Sequence, residues 1–156
     1  MPKITPFLWF DTQAEEAANF YVSIFPNSKI VRIMRNNAST PGDTGAVLTV
    51  DLVLDGQEMA FLNGGPNFKF DQAFSYVVHC AGQAEVDHYW DALLAGGEPS
   101  ACGWLKDRYG FSWQITPDIL LDLMNDPDAD KAARVAAAMM KMVKLDIATL
   151  EAAAAG

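Results

Sequence analysis

The sequence predicts an α+β fold, two βαβββ modules in succession followed by a C-terminal helical extension. Three observations carry this reading. The order strand, helix, strand, hairpin occurs within residues 3–66 and recurs within residues 73–117. The two helices open on the same letters, Gln13-Ala14-Glu15 and Gln83-Ala84-Glu85, and carry Phe20-Tyr21 and Tyr89-Trp90 at near-equivalent places. Gly56 and Gly110 each punctuate the hairpin before a module's last strand. Residues 118–156 differ and read as a helical tail, with all 156 residues in one domain.

In module one, residues 4–10 are a short apolar and aromatic run closed by Asp11-Thr12, which predicts a strand. Asp11 or Thr12 can cap a helix over residues 14–25, with Glu15 and Glu16 in the first turn where the helix dipole favours them. Ala17, Phe20, Tyr21 and Ile24 follow the spacing of one buried stripe, and Pro26-Asn27 stops the helix. A strand over 29–34 and a polar loop over 36–45 follow. Residues 46–54 and 57–63 flank Asp55-Gly56, whose chemistry suits a type I′ hairpin. That register places Ala60 opposite Asp51, on the face shared by Thr49 and Val53.

Module two begins with a strand over 75–80 and a helix over 83–94, with Val86, Tyr89, Trp90 and Leu93 on its apolar stripe. Gly96-Gly97 ends the helix, and short strands follow over 98–101, 103–107 and 112–116. Asp107-Arg108-Tyr109-Gly110 suits a type I turn followed by a left-handed glycine and a bulge. Trp104, Lys106, Ser112 and Gln114 then share one face, and Leu105, Trp113 and Ile115 face the helices. A one-residue slip would bury Lys106 against the core, which disfavours it.

In the tail, residues 117–124 read as a short helix, Asp126-Pro127 as the start of another, and 131–144 as its continuation. Val135, Met139, Met142 and Val143 form its stripe, and Asp146 is placed to cap a final Ala-rich helix.

Composition excludes several classes. Hydrophobic residues make up 51% and charged residues 20%, a globular balance that argues against disorder. The formal charge of −9, from 11 Lys+Arg against 20 Asp+Glu, repels phosphate backbones and anionic lipid, so neither nucleic acid nor membrane is an expected partner. No apolar run approaches the roughly 20 residues needed to span a bilayer. Residues 1–4 do not begin a basic-then-apolar leader. Cys80 and Cys102 are the only cysteines and read as reduced thiols of a cytoplasmic protein.

The strings FYVSIFPNSKI (residues 20–30), GQEMAFLNGGP (56–66) and CGWLKDRYGFSWQI (102–115), set in a paired βαβββ order, resemble the PhnB-like branch of the vicinal oxygen chelate superfamily. That branch is also known as 3-demethylubiquinone-9 3-methyltransferase-like, and the superfamily includes glyoxalases, extradiol dioxygenases and antibiotic-resistance proteins. The resemblance covers about residues 3–150. It implies curved sheets whose concave faces enclose a pocket, and a homodimer. The residues show no Gly-rich loop after a first strand, where a methyl donor binds in doubly wound folds.

The resemblance also implies where a metal would sit. Metal-dependent superfamily members place His or Glu on the first strand and Glu on the last strand of each module. Here residues 4–10 contain no His, Asp or Glu, and Ala60 and Gln114 align with the last-strand carboxylates. Ala cannot ligate, and a neutral amide substitutes poorly for carboxylate. His79 reads as structural and His88 as exposed on its helix. The expectation is therefore no metal and no cofactor.

The polar face of the second hairpin is expected to line a small-molecule pocket with Trp104, Lys106, Ser112 and Gln114, joined by Trp9, Asp51 and Asn63 of module one. Asp51 and Lys106 are the candidates for proton transfer if the chain is an enzyme, and their alternative role is a structural ion pair. Cys102 reads as a packed thiol. Asn63-Gly64-Gly65-Pro66 reads either as a turn or as backbone amides offered to an anion. The leading expectation is a metal-free homodimeric binder of an unknown small molecule. The alternatives are a superfamily enzyme acting on a small organic substrate and, third, a metal enzyme with non-standard ligands.

Overall fold

The structure is a computed structural model and describes residues 2–156. Among these residues the chain forms eight strands and five helices in two compact units that divide between Phe70 and Asp71.

The first unit comprises β1 (Phe7–Phe10), α1 (Ala14–Ile24), β2 (Lys29–Arg35), β3 (Val47–Leu54) and β4 (Gln57–Asn63). The sheet order is β1-β4-β3-β2, with β1 parallel to β4 and the other pairs antiparallel. Alternation sends Leu8, Phe10, Val50, Leu52, Met59 and Phe61 to one face, where they are buried with Ala14, Ala17, Ala18 and Tyr21 of α1. Each such large side chain contributes about 1.5–3 kcal/mol by leaving water. The hairpin has the expected turn, because Asp55 (φ 48°) and Gly56 (φ 79°) both adopt the left-handed region that type I′ requires. Asp51 pairs with Ala60 as read from the sequence.

Two local expectations are corrected. Strand β1 starts at Phe7 rather than residue 4, because Pro6 has no N–H for a ladder, and Ile4 is exposed. Neither Asp11 nor Thr12 caps α1. The N-cap is Gln13, whose side chain makes no capping bond, and the Ala14 amide donates instead to Asn63 Oδ1 at 2.8 Å. The α1 stripe is also narrower than expected, with Phe20 and Ile24 only partly buried.

The second unit comprises β5 (Ser75–Cys80), α2 (Gln83–Leu94), β6 (Glu98–Pro99), β7 (Trp104–Lys106) and β8 (Ser112–Pro117), then α3 (Asp118–Met124), α4 (Ala129–Met139) and α5 (Ile147–Ala155). Its sheet repeats the first topology, β5-β8-β7-β6 with β5 parallel to β8. Leu105, Trp113 and Ile115 are buried, as are Val86, Trp90 and Leu93 of α2. The hairpin register is the expected one, Trp104 opposite Gln114 and Lys106 opposite Ser112. Gly110 (φ 83°) closes the turn, its amide donating to the Asp107 carbonyl at 2.9 Å.

β6 and β7 are shorter than predicted because the chain between them turns to meet the tail. Cys102 (φ 59°) and Gly103 (φ 84°) are both left-handed, and their amides donate to the Met142 and Val143 carbonyls at 2.9 and 2.8 Å. A Cβ at Gly103 would meet Leu145 at 2.9 Å and the Ile115 carbonyl at 3.0 Å, so the close approach itself requires glycine. The same contact ends α4 at Met139, well before the expected residue 144. The α4 cap is Asp128, accepting from Asp130 and Lys131, rather than Asp126. Asp146 makes no capping bond to α5, whose Ile147 amide donates to Gln83 Oε1 at 2.8 Å. Leu120, Val135, Leu145, Leu150 and Ala154 form a small helical core, packed by Leu123, Met139 and Met142.

Candidate functional site

In each unit, one sheet face buries its apolar side chains with those of a helix, and the candidate side chains fall on the other face or at its end. In the first unit the rows are Phe7, Ala60, Asp51, Arg32 and Trp9, Leu62, Thr49, Met34. Phe7 is 60% and Met34 50% exposed, large apolar groups on an open surface. Asp51 is bound by Arg32, which donates from Nε at 3.0 Å and Nη2 at 2.6 Å. The partner of Asp51 in the structure is thus Arg32, and the sequence reading had offered Lys106. Bulges after Ile30 and Met34 shift the β2 register, so alternation along the sequence does not reveal the pair.

Trp9 lies along the chain leaving β4. Its indole N–H donates to the Gly65 carbonyl at 2.9 Å, and Phe68 meets the ring edge-on at 4.9 Å. A Cβ on Gly64 would stand 2.3 Å from the indole, so only glycine fits beneath the ring. The Gly64 and Gly65 amides donate to the Phe10 and Asp11 carbonyls at 2.9 and 3.3 Å. They are spent on the end of β1, so of the two readings of this segment the turn is the one the hydrogen bonds favour. Asn63 lies on the helix side, capping α1 with Oδ1 and donating from Nδ2 to the Val47 carbonyl at 3.1 Å. Trp9 and Asn63 both line a cavity of about 740 Å³ at this end of the sheet.

The second open face carries Ser75, Val77 and His79 on β5, Ser112, Gln114 and Thr116 on β8, and Trp104 and Lys106 on β7. The Gln114 amide donates to Ser75 Oγ at 2.9 Å. Ser112 is only 1% exposed, and its hydroxyl has no partner among the described residues. Trp104 borders a hollow of about 270 Å³ with Gln72, Ser100, Ala101 and Cys102. Cys102 Sγ lies 3.8 Å from Met140 Sδ. Burial pushes the Cys80 thiol up to about 11, helped by the charges of Glu85 and Asp118. Burial likewise raises the Tyr76 phenol to about 12.

Asp107 is the polar residue the sequence reading missed. It is 3% exposed and accepts from the Tyr109 and Phe111 amides at 2.9 and 3.0 Å and from the Trp113 indole N–H at 2.8 Å. The available signal was an Asp at the first position of a type I turn, where its side chain bonds amides two residues on.

The donors present do not fit a divalent ion at the superfamily's positions. Ala60 has no ligating atom, and Gln114, whose Nε2 donates to Ser75, offers only a neutral amide oxygen, a poor substitute for carboxylate. His79 has Asp118 at 3.9 Å as its acidic neighbour, both side chains largely exposed. Among the described residues, no group of three or more His, Cys, Asp or Glu could hold a metal.

Two sheets of identical order, each with one helix-covered face and one open face, define the fold of the vicinal oxygen chelate superfamily. The chain belongs to its 3-demethylubiquinone-9 3-methyltransferase (PhnB-like) family, whose model matches residues 2–116. The match stops before α3, so it is shorter than the resemblance over residues 3–150. Among solved structures, a PhnB protein of Bacillus cereus is 38% identical with a TM-score of 0.68, covering 74% of this chain and 99% of its own. A protein from Pseudomonas aeruginosa, at 18% identity and TM-score 0.60, covers 75% of this chain and 98% of its own. The fosfomycin resistance protein FosX of Listeria monocytogenes, at 12% identity and TM-score 0.57, covers 80% and 98% and shares the fold. No curated protein matches the chain. No helix among the described residues is long and apolar enough to cross a membrane.

Proposed function

We propose that this chain is a metal-free small-molecule-binding protein acting as a homodimer, with its ligand held against the open sheet faces. The observation that carries this reading is the composition of those faces. Exposed Phe7, Met34 and Val77 (41%) stand beside a few polar groups already fixed in geometry, the Arg32–Asp51 pair and the Gln114–Ser75 bond. Apolar walls with sparse, oriented polar groups are the pattern of a ligand pocket. The same exposed side chains favour a second copy, since a face of this kind is rarely left to water. The donor chemistry at Ala60 and Gln114 supports binding without a metal. Two free thiols fit a cytoplasmic setting.

Asp51 and Lys106 decide between binder and enzyme. Asp51→Asn with Lys106→Met is expected to weaken binding of whatever organic molecule co-purifies. Unchanged binding with loss of a turnover would instead establish the enzyme reading.

A further inference from the structure

The second open face changes chemistry from one register row to the next. One row runs Ser75, Ser112, Lys106 and Glu98 across β5, β8, β7 and β6. The next runs Val77, Gln114 and Trp104. The first row is polar and carries a cation, and the second sets Val77 and Trp104 on either side of a neutral amide. Residues two apart on a strand stand about 7 Å apart, and three adjacent strands span roughly 10 Å. That footprint fits one ring-sized apolar body with a short head group.

Lys106 sets the sign of that head group. It is the only Lys or Arg in the two rows and is half-buried, and its ammonium has no ion-pair or hydrogen-bond partner among the described residues. Glu98, its neighbour in the row, is exposed on the edge strand and makes no ion pair with it. The first open face differs, because there Asp51 already neutralises Arg32. In the same row as Lys106, Ser75 Oγ accepts from Gln114 Nε2, which leaves the Ser75 hydroxyl proton to donate. Ser112 is covered, so selection rests on Lys106. The chain's charge of −9 repels an anion at long range, but salt screens that field beyond roughly 10 Å and leaves the choice to the local cation.

We infer that the second open face binds a small carboxylate with an apolar, ring-sized body, its anionic head at Lys106 and its body against Trp104 and Val77. This rests on the proposed binding at the open faces and names the class of the ligand. A half-buried ammonium without a counter-charge gains a charge-assisted hydrogen bond from such a head, and the exposed apolar row loses its contact with water.

The test is a ¹H–¹⁵N NMR titration of the full chain with three probes sharing one ring: benzoate, benzyl alcohol and benzylammonium. Benzoate is expected to move the Trp104 indole and the Lys106 and Gln114 amide signals, and to bind at least about five-fold more tightly than the other two. Lys106→Met is expected to erase that preference while the signal of the buried Trp113 indole stays in place, and Lys106→Arg to keep it. Glu98→Gln, which removes the one carboxylate of the row, is expected to strengthen benzoate about two-fold. The alcohol or the ammonium binding this face as tightly as benzoate, a preference that survives Lys106→Met, or weaker benzoate binding by Glu98→Gln would each overturn the inference and leave the proposed function standing. No response of these signals to any probe would overturn it as well, and the proposed function is then decided separately, by whether the purified chain carries an organic adduct in native mass spectrometry.

Discussion

Asn63 Oδ1 accepts the Ala14 amide at 2.8 Å across 49 residues of sequence, so the last residue of β4 caps the first turn of α1. The same side chain donates to the Val47 carbonyl. Asn63→Ala is therefore expected to lower unfolding free energy by about 1–2 kcal/mol, and Asn63→Asp to recover the capping part while losing the Val47 bond. Urea denaturation of the three proteins measures this, and an unchanged Asn63→Ala midpoint would refute the cap.

Gly64 is expected to tolerate no side chain. A methyl group there enters the Trp9 indole, so Gly64→Ala displaces the ring and costs roughly 1–3 kcal/mol through overpacking. Thermal unfolding and the Trp9 indole N–H resonance report both effects, and a variant with native stability and an unmoved resonance would contradict the packing.

Asp107 holds the second hairpin from inside. Asp107→Ala leaves the Trp113 indole N–H and two turn amides without their acceptor, at an expected cost of roughly 2–4 kcal/mol. Asp107→Asn retains an oxygen acceptor and should lose less. An Asp107→Ala protein as stable as the unmutated chain would show that the hydrogen bonds carry nothing.

The tail is expected to loosen in acid. The Gln83 hydrogen bond, then that from Lys144, holds the Asp87 carboxyl below its ordinary range. The Asp128 amide and then Lys131 do the same for Asp126. A carboxyl depressed in the folded state adds stability above its unfolded pKa of about 3.9, and that stability is lost as pH falls through the lower folded value. Lys144, raised chiefly by its bond to Asp87, contributes below its unfolded pKa of about 10.4 and loses that contribution above it. Hydrogen exchange of α4 and α5 should rise below about pH 4, and Asp87→Asn should flatten that response for α5. An acid response unchanged by Asp87→Asn would exclude the Asp87–Lys144 pair as its source.

The two thiols should separate cleanly. Cys80 is fully buried with its thiol raised to about 11, whereas Cys102 is half-buried. Iodoacetamide near neutral pH is expected to label Cys102 and spare Cys80. Labelling that persists in Cys102→Ser would contradict the burial.

The periodic and turn-forming parts of the chain were the legible ones. Asp55-Gly56 announces its turn, and Lys106, next to Leu105, fixes the second hairpin's register, because one face leaves a lysine to water and the other would bury it against the core. What stayed hidden depends on groups distant in sequence. α1 and α5 both have an acidic residue placed as a cap, yet take their cap from Asn63 and Gln83, an amide on another element. The Arg32–Asp51 pair was hidden by two bulges in β2, and the early end of α4 by carbonyls turned toward Cys102 and Gly103. At the candidate site, the sequence names Trp9 and Asn63, and the structure lines one cavity with both. It does not announce Asp107 as the acceptor of the Trp113 indole, a contact made only once the hairpin closes.

The central claim, metal-free small-molecule binding, is tested most directly by native mass spectrometry of the purified chain after incubation with excess zinc and manganese ions and buffer exchange. The expected spectrum is a dimer carrying an organic adduct and no stoichiometric metal. A stoichiometric divalent ion on each chain would contradict the account.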